Sequence, residues 1–127
     1  MFHNYIERLP VSLILVVEDD YAVQQVISEF LRSTGHQVCC AISAAEARRH
    51  LASKPIQLAL IDCLMSGEQG DSLAEHAASL GVPIILTSGD PRYLKTFASG
   101  SFPFLSKPFR LSELEQLISQ VLVSVRE

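Results

Sequence analysis

Five polar residues interrupt an otherwise apolar chain where strands should be ending: Glu18 and Asp19 after "LILVV", Asp62 after "LALI", Ser88 after "PIILT" and Lys107 after "FPFLS". Carboxylates, a hydroxyl and an ammonium are the parts of a site that handles a phosphoryl group. An aspartate can accept that group as a nucleophile, because the transfer depends mainly on positioning and charge neutralisation. A lysine supplies part of the charge, and a serine hydroxyl can donate to the new phosphoryl oxygens, a way of sensing the modification. Gathering three carboxylates is costly: two unit charges about 4 Å apart repel by roughly 4 kcal/mol at an effective dielectric of 20. Lys107 offsets one charge, and a single Mg²⁺, which favours carboxylates, waters and a phosphate as ligands, would neutralise the rest.

Residues so far apart in sequence need a fold that gathers them. Short apolar runs alternate with amphipathic segments along the chain, which predicts an α/β, doubly wound, five-stranded parallel sheet with helices on both faces. The expected strands are Ser12 to Val17, Gln37 to Ala41, Leu58 to Ile61, Pro83 to Thr87 and Phe102 to Ser106. Burial on both faces explains why these runs are continuously apolar. Val23, Val26, Ile27, Phe30 and Leu31 follow helical spacing, and Gly35 stands where that helix should stop. Ser43 and Glu46 form a capping box for a second helix, from Ala44 to Ala52. A third is expected from about Asp71 to Leu80, and a short fourth from Asp90 and Pro91 to about Ala98, ended by Gly100. Ser112 and Glu115 read as the box that opens the last helix, with Leu114, Leu117, Ile118, Val121, Leu122 and Val125 on one face. In such a sheet ligands bind outside the carboxyl ends of the strands, where the strand order switches. The order 2-1-3-4-5 puts strands one and three beside that crevice, so Glu18, Asp19 and Asp62 converge.

Bulk properties narrow the function classes. The chain has 127 residues, 48% hydrophobic and 19% charged, enough for one folded domain over 12–127 behind a short tail at 1–11. A formal charge of −4 with scattered basic residues argues against direct nucleic-acid binding. No apolar run approaches the roughly 20 residues that span a bilayer, so no membrane partner is expected. Residues 1 to 11 lack the pattern of a signal peptide, which points to a cytoplasmic protein. Cys39, Cys40 and Cys63 form no Cys-x-x-Cys pair and read as reduced thiols filling apolar space. His3, His36, His50 and His76 have no metal-ligand spacing and read as surface or loop residues, and Gly67 and Gly70 make no nucleotide-binding motif.

The segments "LILVVEDD", "LALIDCLMSGEQG", "PIILTSG" and "FLSKPF" together resemble the receiver domain of two-component response regulators, a flavodoxin-like (βα)5 receiver fold, and the likeness runs from the first strand to the last helix. The resemblance implies phosphorelay signal transduction. Asp62 would be the phospho-acceptor, Glu18 and Asp19 the acidic pair for Mg²⁺, and the backbone carbonyl of Leu64 a further metal ligand. Ser88 and Lys107 would serve the phosphoryl group, with Ser88 and Phe104 as the switch pair. The chain would be no enzyme in the ordinary sense but an acceptor that takes part in its own phosphorylation and dephosphorylation. The implied partners are a histidine kinase or histidine phosphotransfer protein upstream, and a downstream protein or second copy of the chain. The latter would meet the face of the fourth helix, fifth strand and fifth helix, near Tyr93 and Lys95. With no output domain expected after the fifth helix, the reading is a stand-alone receiver.

Three departures from the family pattern stand out. Ser66 replaces a common proline, Phe104 has no hydroxyl, and Asp90 adds an acid near the site. Leu64 offers no polar group to orient an attacking water, which predicts a long-lived phosphoaspartate. Each residue also has a plainer reading. Asp20 fits a helix N-cap better than a metal ligand, and Lys107 or Ser88 alone would be ordinary loop residues. Two other functions compete: a receiver-like interaction module that works independently of phosphorylation, and a phosphotransferase of the haloacid dehalogenase type. The full set of acids, hydroxyl and lysine disfavours the first. Leu64, where such enzymes carry a second acid, disfavours the other.

Overall fold

The computed structural model of the chain describes residues 12–64, 70–90 and 102–126. The described elements run β1 (Leu13–Val17), α1 (Tyr21–Ser33), β2 (Gln37–Ala41), α2 (Ala44–Ser53), β3 (Leu58–Asp62), α3 (Gly70–Ser79), β4 (Ile84–Ser88), β5 (Phe104–Ser106) and α4 (Leu111–Arg126). All strand pairs are parallel, in the order β2-β1-β3-β4-β5. The expected fold class and strand order are therefore what the chain adopts. The expected tail at 1–11, the expected fourth helix, and Ser66, Gly67, Tyr93, Lys95 and Gly100 lie outside the described residues.

Alternation along the strands divides the core in two. Leu15, Val17, Ala59, Ile61, Ile84 and Leu86 face α2 and α3, whereas Ile14, Val16, Leu58, Leu60 and Ile85 face α1 and α4. β1, β3 and β4 are thus apolar on both sides, which explains their unbroken runs. β2 is an edge strand and only partly buried. At that edge His50 Nε2 lies 3.1 Å from the Cys40 carbonyl, and Ser28 Oγ lies 3.1 Å from Cys40 Sγ. His50 is thus a half-buried helix residue and not the surface or loop residue expected. The three cysteines are free, Cys63 buried and the other two partly so, and burial raises the Cys39 thiol pKa.

Two helix starts follow the sequence logic. Asp20 caps α1, its carboxylate accepting from the Val23 N–H at 3.2 Å. Ser43 caps α2 through the Glu46 N–H, while Glu46 reaches back to the Ile42 N–H. α4 differs from expectation. It starts at Leu111, and Glu113 accepts from the Arg110 N–H at 2.9 Å, so Ser112 and Glu115 are not its capping box. The helix begins two residues sooner, with Glu113 closing the first turn. Gly35 follows α1 with φ +97°, a left-handed backbone that glycine adopts without strain.

The inward stripe of α1 also differs. Its buried residues are Gln24, Ile27, Ser28 and Leu31, while Val26, expected in the core, is 56% exposed. Two polar residues occupy the inward stripe because partners near the sheet edge await them: Gln24 meets backbone carbonyls, described below, and Ser28 meets Cys40.

Candidate phosphoryl-acceptor site

The site forms where β1 and β3 end. Val17 pairs with Ile61, so the next residues on each chain, Glu18 and Asp62, come out of the sheet side by side. Both are buried, Glu18 at 3% exposure and Asp62 at 6%. Asp19 is exposed. One carboxylate oxygen from each of the three lies within 4.8 Å of the others. Lys107, just past β5, reaches across from the far side of the sheet. Its Nζ donates to Glu18 Oε1 at 2.5 Å and to Asp62 Oδ2 at 3.3 Å.

The remaining carboxylate oxygens also have donors. Glu18 Oε2 accepts from the Asp20 N–H at 3.2 Å, and Asp62 Oδ1 accepts from the Leu64 N–H at 3.1 Å. Each oxygen therefore has one described donor and keeps capacity for another. Burial pushes the Glu18 carboxyl above the usual glutamate range; Lys107 opposes the rise and the adjacent Asp62 reinforces it. Burial by itself would lower the Lys107 ammonium, but the Glu18 hydrogen bond and the charges of Asp62 and Glu18 outweigh it and hold its pKa high.

Ser88 ends β4 and is 1% exposed. Its Oγ accepts from the Asp90 N–H at 3.0 Å, and its carbonyl accepts from the Lys107 N–H at 2.8 Å. The hydroxyl proton is not used by the Asp90 contact. Phe104 opens β5, half-buried against the core on the α2 and α3 side. Leu64 is exposed at the mouth of the site. Gly70 crosses directly behind Asp62: a Cβ there would lie 2.6 Å from the Asp62 carbonyl oxygen and 2.7 Å from Cys63 Cα.

Glu18, Asp19, Asp62 and Lys107 thus form one cluster, with Ser88 at the end of the adjoining strand and Phe104 two residues back from the end of β5. The donor set is all oxygen, anionic, and only partly offset by one lysine, which fits a hard divalent cation such as Mg²⁺. Sequence reasoning missed Gln24, whose buried side-chain amide reaches the end of β1. Its signal was available: Gln24 precedes Ile27, Ser28 and Leu31 by three, four and seven residues, the spacing of one helix face.

Fold and site together define a doubly wound α/β domain with an acidic corner at the carboxyl ends of its strands, and the comparison with known proteins gives the family. The response regulator receiver domain matches residues 14–119, and the chain belongs to that family. It is 32% identical over 118 residues to Protein PetR of Rhodobacter capsulatus, covering 90% of this chain and 50% of that protein. It is 31% identical over 112 residues to the heme response regulator HssR of Staphylococcus haemolyticus, covering 85% of this chain and 50% of that one. The chain therefore spans about half the length of these curated relatives. Among solved structures, a CheY-like response regulator receiver domain protein from Methanospirillum hungatei superposes with a TM-score of 0.84 at 24% identity. That match covers 92% of this chain and 98% of the other, and it speaks to the fold alone. Among the described residues, no helix is long and apolar enough to cross a membrane.

Proposed function

We propose that the chain accepts a phosphoryl group on Asp62 in a Mg²⁺-dependent reaction and relays the change through its surface. The observation that carries this reading is half-buried Lys107 bridging buried Glu18 and Asp62, beside exposed Asp19. A carboxylate oxygen of Asp62 forms the new P–O bond while the donor's P–N bond to histidine breaks. Glu18, Asp19 and Asp62 would hold the cation, with the Leu64 carbonyl as a further ligand. Mg²⁺, when bound, neutralises charge on the phosphoryl oxygens. Lys107 holds its proton throughout, since its carboxylate partners keep it charged, and it pairs with the incoming phosphoryl oxygens. Ser88 has its hydroxyl proton available to donate to one of them, and moving it would disturb its contact with Asp90. Phe104, on the next strand, would follow by repacking, because it has no hydroxyl to exchange.

An apolar groove of about 560 Å³ beside Lys107, lined by Ala22, Val23, Val26, Ile27, Pro108 and Phe109 among others, suits a helix of a protein donor. We therefore read the donor as a histidine kinase or phosphotransfer protein, with output through a partner protein or a second copy of the chain on the β5 and α4 side. The test is incubation with Mg²⁺ and phosphorylated histidine kinases or acetyl phosphate. Wild type should take up label that Asp62→Asn does not. Absence of label from every donor would falsify the reading.

A further inference from the structure

Gln24 is 3% exposed on the inward stripe of α1. Its side-chain nitrogen donates to two backbone carbonyls, those of Glu18 and Ala41, both at 3.1 Å. These carbonyls lie at the ends of β1 and β2, and the Ala41 carbonyl also accepts from the Glu18 N–H at 3.0 Å. Gln24 thus ties helix, first strand and second strand together at the peptide that joins Glu18 to Asp19. That peptide carries both acids, so the orientation of its carbonyl sets the direction in which each side chain leaves the backbone. Repulsion from Asp62 pushes against that arrangement, and a restraint is needed where the strand pairing has ended. Packing alone would favour an apolar residue on this stripe, because burying an amide is unfavourable unless its donors are used. One donor of this nitrogen lands on the acid-bearing turn and the other on the end of β2 beside it.

We propose that Gln24 is a positioning residue for the acidic pair: its amide clamps the Glu18–Asp19 peptide against the end of β2 and so sets the two carboxylates toward Asp62. The inference deepens the proposed Mg²⁺ role and rests on it for one of its two tests. Gln24→Met keeps length and apolar packing but removes both donors. Its Mg²⁺ affinity should fall by about tenfold or more, the usual effect of losing a group that orients metal ligands. The second test needs no metal. Amide hydrogen exchange at Glu18, bonded to Ala41, and at Asp20, bonded to Glu18 Oε2, should speed up in Gln24→Met, while Ile14 to Val16 stay protected.

Gln24→Lys, whose ammonium can donate to the same carbonyls, should restore slow exchange at Glu18. If Gln24→Met does not fold, Gln24→Lys decides: fast exchange at Glu18 in that variant overturns the clamp. Unchanged affinity and exchange in Gln24→Met, or faster exchange spread evenly over β1 to β4, would also overturn it, the latter by marking a packing role. A wild type that binds no Mg²⁺ counts against the proposed function alone, since the exchange pattern still judges Gln24.

Discussion

Glu18 is the most buried acid of the charge cluster, and burial raises its carboxyl pKa. A raised folded-state pKa favours the protonated form in the fold. That contribution is fully present below the unfolded value of about 4.5 and disappears as pH rises through the folded value. At neutral pH, without a divalent cation, ionised Glu18 is therefore a burden on stability. Glu18→Gln should melt above wild type at pH 7 without metal, with the gap closing toward pH 4.5. Saturating Mg²⁺ should reverse the order, because only wild type offers the full set of anionic ligands. Thermal melts with and without Mg²⁺ check both halves. Leu64 is exposed beside Asp62, and its role in the lifetime of the proposed phosphoaspartate can be tested: Leu64→Asn places an amide where a water could be oriented. The phosphoaspartate of that variant should decay severalfold faster in a radiolabel chase, and an unchanged half-life would count against this role.

At the scale of the elements, Gly70 joins α3 to the back of the site. With backbone atoms of Asp62 and Cys63 within 2.7 Å of the position a Cβ would take, neither can yield cheaply. Gly70→Ala should cost about 1–3 kcal/mol in urea unfolding, as overpacking usually does. It should also lower phosphate uptake by shifting Asp62. The open edge of β2 invites a different test. The His50 ring at the Cys40 carbonyl covers part of an edge that could otherwise pair with another strand. His50→Ala should raise concentration-dependent self-association in sedimentation experiments, and His50→Gln should restore the cover.

Element boundaries were legible in the sequence to within a residue or two, since β1, β3 and β4 are continuous apolar runs flanked by polar residues. Asp62 and Ser88 proved to be the last residues of their strands and not the first after them. That difference is small in sequence, but it explains why both are buried. The polar members of the α1 stripe and the start of α4 were not legible. Hydrophobic spacing sees Val26 and overlooks Gln24, because the partner that makes an amide welcome inside is a carbonyl on another strand. Ser112 and Glu115 have the spacing of a capping box, yet Glu113 is the one that reaches a free N–H.

For the molecule as a whole, the site is a product of topology. Alternating residues of β1 and β3 lock helices onto both faces, and that two-sided packing holds their ends still enough for three acids to share one corner. The convergence was predictable because the strand order puts β1 and β3 together. The distances, and Glu18's place as the nearer partner of Lys107, depend on how the strand ends meet in three dimensions.

The Glu18–Lys107 contact links positions 89 residues apart in the chain. The consequence is one of timing during synthesis. A nascent chain that has released β1 to β4 already contains both buried acids and their strand pairing, but not the cation that balances them. The corner becomes chemically complete only when β5 docks at the far side of the sheet. The proposed phosphoryl acceptance should therefore await the docking of β5, a built-in report that this strand is in place.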